Sequence, residues 1–448
     1  MTNPWQKNLI EGPIAKGLLK LALPLMGTSF LTMIYNLTDL YWVGTIGTEA
    51  VAAVGIGGTF WWMANSLALI CNVGLAVTVS QNYGRQDIKR AKEYINSGVK
   101  LSIIIACSYA FFIGFFNKQF VTFFNIEDAL TYESTITYLS TLAIGYVSLI
   151  MNPVFAVVIN AEGDSRLTFK VSLIGVVTNM ILDPVFILGF KWGVFGAALA
   201  TTMSQILVSI IYIYLGKKYS LLYAMVDYKE SWKKEDVKEI LKLGVPPAAQ
   251  SGVQCFITMY IARMIAGFGP AAVAAQSIGS NIEGICWLTA EGYSTANATY
   301  IGQNYGAKKY DRVNKAFFTS VGLMFMVGLF SNILLFFGRF PIIKIFLHEE
   351  LAIAIGADYL KILSFSQIFS AIEIANAGAF NGISMTTPPS IIGIVGNLLR
   401  IPFAYILIGF FGINGIWMAI SLSSILKGMV SFCYFLVAKE KRLNASHV

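Results

Sequence analysis

Charge is scarce in this 448-residue chain: Lys, Arg, Asp and Glu together make up 12% of it, where soluble domains carry about 25%. So little polarity cannot cover a water-soluble body of this size. Histidine is scarcer still, and two residues exclude a histidine-rich metal site. The five cysteines (Cys71, Cys107, Cys255, Cys286, Cys433) lie mostly in apolar stretches and form no CxxC pair. They read as small buried hydrophobes, with no metal or disulfide framework. No Walker A, GxSxG or HExxH run is present, which removes ATP hydrolysis and the common hydrolase and metalloprotease chemistries. Enzymatic catalysis is not expected. The net charge of +8 does not imply nucleic acid, because the basic residues cluster in short segments between apolar spans, where they set orientation.

What fills the chain is apolar: 56% hydrophobic residues, 14% aromatics and 40 glycines. Small residues let helices approach closely in lipid, and aromatics sit at its interfaces. A bilayer core of roughly 30 Å takes about 20 apolar residues per helix. Such runs fall at 14–43, 50–78, 94–116, 132–160, 167–190 and 194–216, and again at 238–267, 271–301, 313–337, 352–381, 388–410 and 413–438. An all-α integral membrane protein with twelve transmembrane helices is expected. Its six-helix lobes cover 1–216 and 238–448, joined by a cytoplasmic linker over 217–237. Lys and Arg concentrate at 85–92, 166–170, 217–242, 308–315 and 439–442, while the alternate loops hold few. Both termini are therefore expected in the cytoplasm. The polar start, 1–17, has no cleavage site and reads as retained. The stretch Trp232–Lys242 reads as a surface-lying amphipathic helix or, equally, a solvated linker. Asn444-Ala445-Ser446 matches a glycosylation sequon by accident, on the cytoplasmic side.

The first half is also written twice. Leu19-Lys20-Leu21 with Pro24 recurs as Leu241-Lys242-Leu243 with Pro246. Gly47 with Ala50-Val51-Ala52-Ala53 recurs as Gly269 with Ala272-Val273-Ala274-Ala275, and Gln81-Asn82-Tyr83-Gly84 as Gln303-Asn304-Tyr305-Gly306. All three pairs share one offset of 222 residues. Halves with an even number of spans begin on the same side, so the repeat is parallel. A repeat of this length in a membrane chain is the usual build of a secondary transporter. Duplicated residues then describe the machine, and ionisable residues found in one half only describe its chemistry.

An ionisable side chain at membrane depth costs a few kcal/mol or more, which makes each one a functional candidate. Asp39 lies in the first span with Ile261 as its repeat-mate, so the fold requires no acid there. A lone buried carboxylate of this kind serves as a proton carrier. Asn179 and Asp183 stand at i and i+4 on the fifth span and share a face. Asn397 repeats Asn179 and Pro402 repeats Pro184, but Ile401 stands where Asp183 would. Asp183 also reads as a group satisfying backbone that Pro184 disrupts. The second half carries Glu283, Glu291 and Glu373 with Arg400; these either pair internally or contact substrate or a second proton. Tyr35, Asn36, Trp61, Met63 and Phe155 suit a cavity for flat hydrophobic cations, and equally suit lipid-facing or core positions.

With these residues in place the chain resembles the multidrug and toxic compound extrusion (MATE) family over essentially its whole length. The resemblance rests on the six-plus-six layout, the Gln-Asn-Tyr-Gly turn after the second helix of each half, and the Lys-Leu-x-x-Pro openings at Lys20 and Lys242. It rests also on Asn160-Ala161-Glu162-Gly163 with its counterpart Phe380-Asn381-Gly382. The resemblance implies a V-shaped pair of six-helix lobes and antiport of organic, often cationic, compounds against H⁺ or Na⁺. Members with an amino-terminal cation site carry an Asp on the first helix, an Asn and Asp one turn apart on the fifth, and a Thr on the sixth. The matching positions here are Asp39, Asn179, Asp183 and Thr201, with Tyr138 on the fourth helix as an associated residue. NorM-like Na⁺-coupled members have a Glu on the seventh helix where this chain has Gln254, and an acid on the tenth near Ser370, with Glu373 three residues on. The resemblance is thus to a DinF-type or related prokaryotic branch, coupled through the first lobe.

The expected activity is H⁺-coupled export by alternating access, with Asp39 and Asp183 as the switch and Pro24 as the point where the first helix bends. The oxygens of Asp39, Asn179, Asp183 and Thr201 equally suit Na⁺. A flippase for lipid-linked oligosaccharides is a further alternative, kept open by Arg400. A non-transporting scaffold or channel leaves acids confined to one repeat unexplained. No cofactor beyond the coupling ion, no ATP and no nucleic acid is expected. The partners are small organic substrates and the bilayer, the working unit is a monomer, and the place is the cytoplasmic membrane of a prokaryote.

Overall fold

The protein is described here by a computed structural model covering residues 9–124, 126, 128–224, 231–347 and 349–444. Part of the linker expected at 217–237, the start of the chain before Leu9 and the end of the Asn444-Ala445-Ser446 sequon lie outside the described residues. Apolar runs in lipid must satisfy their backbone internally, and helices do so within one segment. The helices are α1 (Ile14–Gly44), α2 (Thr48–Gly84), α3 (Ile88–Phe123), α4 (Ala129–Ala161) and α5 (Ser165–Pro184), the last continued by a π-helical turn over Val185–Gly189. Next come α6 (Gly193–Tyr219), the one-turn α7 (Leu221–Ala224), α8 (Lys234–Ala266), α9 (Pro270–Gly306) and α10 (Tyr310–Phe346). The chain closes with α11 (Glu350–Ser364), α12 (Gln367–Gly382), α13 (Thr387–Leu398), α14 (Arg400–Phe411) and α15 (Ile413–Asn444).

Counting α5 with its π turn, α11 with α12, and α13 with α14 gives the twelve spans, six in each half of the chain. Up to 10 of them are long and apolar enough to cross a bilayer by length and composition alone, among the described residues. The other two, α8 and α9, are as long but more polar, carrying Gln254 and Arg263 in one and Gln276, Glu283 and Glu291 in the other. The Gln-Asn-Tyr-Gly runs, expected as turns, are the last helical turns of α2 and α9. The left-handed residue of each turn comes two positions later, at Gln86 (φ 62°) and Lys308 (φ 57°), which are repeat-mates.

The span expected at 352–381 is bent by 52° where α11 meets α12. The Asn332 side chain of α10 donates to the Ser364 carbonyl at 2.9 Å. The hydroxyls of Ser364 and Ser366 take the carbonyls of Lys361 and Leu363. Side chains thus occupy acceptors that the helical ladder would use, which is a known cause of kinks.

The described chain forms two compact units, one holding Gly27–Ala248 and the other Leu9–Met26 with Ala249–Val448. The division expected from sequence ran through the linker; these units are cut inside α1 and α8. Leu18, Leu21 and Leu25 accordingly join Tyr293, Tyr300 and Phe317 in the second unit's core, and Ile240 joins Leu75 and Tyr223 in the first.

In the first unit the start of α8 is fixed on α2 and α3. Gly74 and Gly244 have no Cβ, and one added at Gly74 would stand 2.7 Å from the Ile240 carbonyl, while one at Gly244 would overlap the Ile70 carbonyl. Arg90 of α3 makes contacts of 2.7 Å with Glu93 and with fully buried Asp236, the latter a charge contact off the line of a hydrogen bond. Lys233 reaches Glu93 at 2.8 Å, and the Tyr94 hydroxyl donates to Glu239. The stretch Trp232–Lys242 is therefore neither a separate surface helix nor a solvated linker: from Lys234 it is the first part of α8, and Asp236 and Glu239 face α3 while Glu235 is exposed. In the second unit Arg312, the repeat-mate of Arg90, holds the segment before α1. It donates to the Gly12 carbonyl at 3.0 Å, the Tyr300 hydroxyl at 2.8 Å and Asn304 Oδ1 at 3.0 Å.

Glu162, at the end of α4 and outside the spans, explains one sequence motif. Its carboxylate accepts from the Ser220 hydroxyl and the Leu222 N–H, both at 2.6 Å, and from the Leu221 N–H at 3.2 Å. It caps α7. Burial pushes the Glu162 carboxyl above its ordinary value of 4.5, against the pull of these three donors. A carboxyl raised on folding holds its proton more tightly in the folded state, so its contribution to stability is full below the unfolded value and declines as pH rises through the folded one. Melting temperatures in detergent, scanned upward from about pH 4, are expected to show wild type losing ground to Glu162→Gln as pH rises. A constant difference across the scan would exclude a raised value.

Candidate functional site

Four helices of the first unit carry the residues singled out in the first half: α1 supplies Tyr35 and Asp39, α4 Tyr138, α5 Asn179 and Asp183, and α6 Thr201. Asn179 and Asp183 are fully buried, and Tyr35, Tyr138 and Thr201 nearly so. Tyr138 lies against Gly57 of α2, where a Cβ would overlap its ring. The Tyr35 hydroxyl donates to Thr201 Oγ1 at 3.1 Å, and Asn179 Nδ2 donates to Asp183 Oδ1 at 3.3 Å. Asp39 and Asp183 are near enough for their charges to act on one another, and Tyr35 and Tyr138 feel both.

Once these bonds are made, three buried oxygens have no donor: Asp39 Oδ1, Asn179 Oδ1 and Asp183 Oδ2. No ion pair among the described residues involves either carboxylate. A buried carboxylate without a partner is costly, so a cluster of acceptors alone is completed by a proton or a cation. Asp183 does not repair the backbone at Pro184. The π turn that follows closes through the Phe190 N–H on the Val185 carbonyl at 2.9 Å and the Trp192 N–H on the Phe186 carbonyl at 3.0 Å.

Pro24 stands inside α1, which runs unbroken through it, two residues before the helix passes from one compact unit to the other at Met26. Of the aromatic and apolar candidates, Tyr35 and Trp61 stack with ring centroids 6.4 Å apart. Asn36 and Met63 are exposed. Phe155 takes the core position among its alternatives, packed against Tyr212 and Tyr223.

The second unit gathers its charges differently. Glu283 of α9 accepts from the Tyr359 hydroxyl at 2.9 Å and from Gln367 Nε2 at 3.3 Å, both placed by the bend in α11–α12. Arg400 donates to the Ser423 and Ser424 hydroxyls of α15 at 3.0 and 3.3 Å, within electrostatic reach of Glu283 and Glu373. Glu373 is paired with Lys427 of α15 at 3.1 Å. Glu291, two turns along α9 from Glu283, is exposed. Gln254 bonds Thr258 one turn on along α8, at 3.2 Å. Lys427 was missed in the sequence, although a signal existed. Gly193, Gly196 and Ile206-Leu207 recur at Gly412, Gly415 and Ile425-Leu426, which makes Val208 its repeat-mate. Both carboxylates of the first unit's cluster lack a basic partner, while in the second unit two bases attend Glu283 and Glu373.

Comparison with known proteins follows the repeat. The MatE family model matches residues 24–185 and 246–406. "Probable multidrug resistance protein NorM" of Thermotoga maritima is 27% identical over 440 residues, covering 96% of this chain and 94% of its own length. "Probable multidrug resistance protein YpnP" of Bacillus subtilis is 27% identical over 444 residues, covering 97% of each. A solved structure described as the outward-facing conformation of a multidrug resistance MATE family transporter superposes with a TM-score of 0.90 at 22% identity, over 99% of both chains. At that identity the likeness is one of fold. Two matched segments, opening at the repeat-mates Pro24 and Pro246 and taking in most of both halves, make this chain a member of the MatE family.

Proposed function

We propose that the chain is a secondary antiporter that exports organic, cationic, amphipathic compounds in exchange for H⁺ by alternating access. Its place is a prokaryotic cytoplasmic membrane, with both termini inside. The observation that carries this reading is the set of three donorless buried oxygens, Asp39 Oδ1, Asn179 Oδ1 and Asp183 Oδ2. Deprotonated, Asp39 and Asp183 favour a bound cation. A proton on either carboxylate cancels charge and favours release. Antiport needs only that the two ligands favour different states of the protein. Three free oxygens are fewer than the roughly six that a hard cation takes, and Gln254 stands where a Na⁺-coupled relative would have an acid; both favour H⁺. Relatives named as multidrug resistance proteins support the substrate class. The flippase reading needs bases free to hold pyrophosphate, whereas Arg400 and Lys427 are already engaged.

The test is ethidium efflux from proteoliposomes under an imposed pH gradient or an imposed Na⁺ gradient. Efflux driven by the pH gradient alone is expected. Efflux driven only by Na⁺ would make the same oxygens a Na⁺ site, and none under either gradient would turn the search to anionic or lipid-linked substrates.

A further inference from the structure

The Glu373–Lys427 pair has features that a purely structural salt bridge does not require. Its partners keep 14% and 9% exposure. The Lys427 stem lies on Gly396 of α13, where a Cβ would overlap its Cγ and Cδ. Buried polar atoms without a partner lie on the three helices that hold the pair and its glycine seat: both amide atoms of Asn376, one turn beyond Glu373 on α12; Ser431 Oγ, one turn beyond Lys427 on α15; and Asn397 Oδ1, next to Gly396 on α13. Unsatisfied buried groups are rare in native structures and need a reason. These offer three acceptor oxygens, Asn376 Oδ1, Asn397 Oδ1 and Ser431 Oγ, a turn or less along the chain from Glu373, Gly396 and Lys427, and the lysine carries three donors on four flexible carbons.

We propose that Lys427 is a tethered stand-in for a substrate cation at a second organic-cation site in the carboxy-terminal unit. In the resting arrangement its ammonium occupies Glu373. An incoming cation, permanently charged or a protonated amine, takes the carboxylate. Lys427 swings to the oxygens of Asn376, Asn397 and Ser431, which are donorless because they wait for it. The displaced ammonium keeps hydrogen bonds, so exchange leaves no bare charge behind, and its return expels the substrate. The first half has no such device, since Val208 stands at the matching position. This inference rests on the antiporter reading above.

The probe is tetraphenylphosphonium, which cannot titrate, bound to the full-length protein in detergent and transported in proteoliposomes. Lys427→Met removes the competitor, and binding is expected to tighten roughly tenfold, with KM and kcat both falling because expulsion is lost. Lys427→Arg keeps the charge and grips the carboxylate through a planar fork, so binding is expected to weaken by a similar factor in a variant that retains the pair. With Glu373→Gln added, Lys427→Met is expected to tighten nothing. Wild-type affinity in both single variants would overturn the inference while leaving the antiporter standing. A wild-type protein that neither binds the probe nor moves any cation under a gradient would bring down both.

Discussion

Asp39→Asn ends gradient-driven efflux while the protein stays folded in the membrane. The two side chains are nearly the same shape, and the one removed has a buried Oδ1 with no donor, so the folded state gives up no bond there. What it gives up is the exchangeable proton. A neutral amide can neither take up H⁺ nor attract a cation, and the two ligands then no longer favour different states. An efflux rate lower by about 100-fold is expected, the size of a coupling free energy approaching 3 kcal/mol. The checks are ethidium efflux under an imposed pH gradient and gel filtration of the purified variant. Wild-type efflux in the variant would take Asp39 out of the coupling step. Asp39 has Ile261 as its repeat-mate, so an amide there asks nothing of the scaffold that the other half has not already done without.

The second large effect concerns folding. Gly244→Val is expected to remove most folded protein from the membrane, because its Cβ would overlap the Ile70 carbonyl of α2. Backbone cannot move aside as a side-chain tip can. Overpacking of ordinary side chains costs about 1–3 kcal/mol, and a clash with a neighbouring helix backbone belongs at or beyond the upper end of that range. Gly252→Ala, eight residues further along the same helix and with nothing within 4 Å of its would-be Cβ, is the control. It is expected to be neutral or slightly stabilising, since alanine favours helix by about 1 kcal/mol over glycine. Equal yields of the two variants by fluorescence-detected gel filtration would show that α8 and α2 do not approach so closely.

The features legible in the sequence are those that a single segment or a repeat comparison can carry. Apolar length gave the spans, and comparison of the two repeats gave the acids present on one side only, Asp39 against Ile261 and Asp183 against Ile401. The grouping of Asp39, Asn179, Asp183 and Thr201, with Tyr138, came through the family resemblance, because nothing in spacing alone joins α1 to α5 and α6; that Tyr35 bonds Thr201 was not foreseen. Features made by one helix acting on another stayed hidden. The bend at α11–α12 depends on Asn332, which lies in α10. Trp232–Lys242 looked like a helix with one wet face because acids facing Arg90 and acids facing water read alike. Lys427 was hidden for another reason: one lysine in a long apolar run barely moves an average. Comparing it with Val208, the test that singled out Asp39, would have exposed it.

The cuts inside α1 and α8 also constrain how the chain can be made. Leu9–Met26 leave the ribosome long before the helices they pack with, α9 onward, have been made. The first unit in turn is incomplete until Ala248 has been synthesised, well past the point where its own six spans are in the membrane. At about 5–20 residues per second, the amino-terminal segment waits at least 13 seconds for Ala290 and Tyr293, the first residues after α8 in the buried cluster that holds Leu18, Leu21 and Leu25. During that wait Leu18, Leu21 and Leu25 are shielded only by lipid or by an insertion partner. A gene split at the linker would yield two fragments, each holding a piece that the other needs to finish its core.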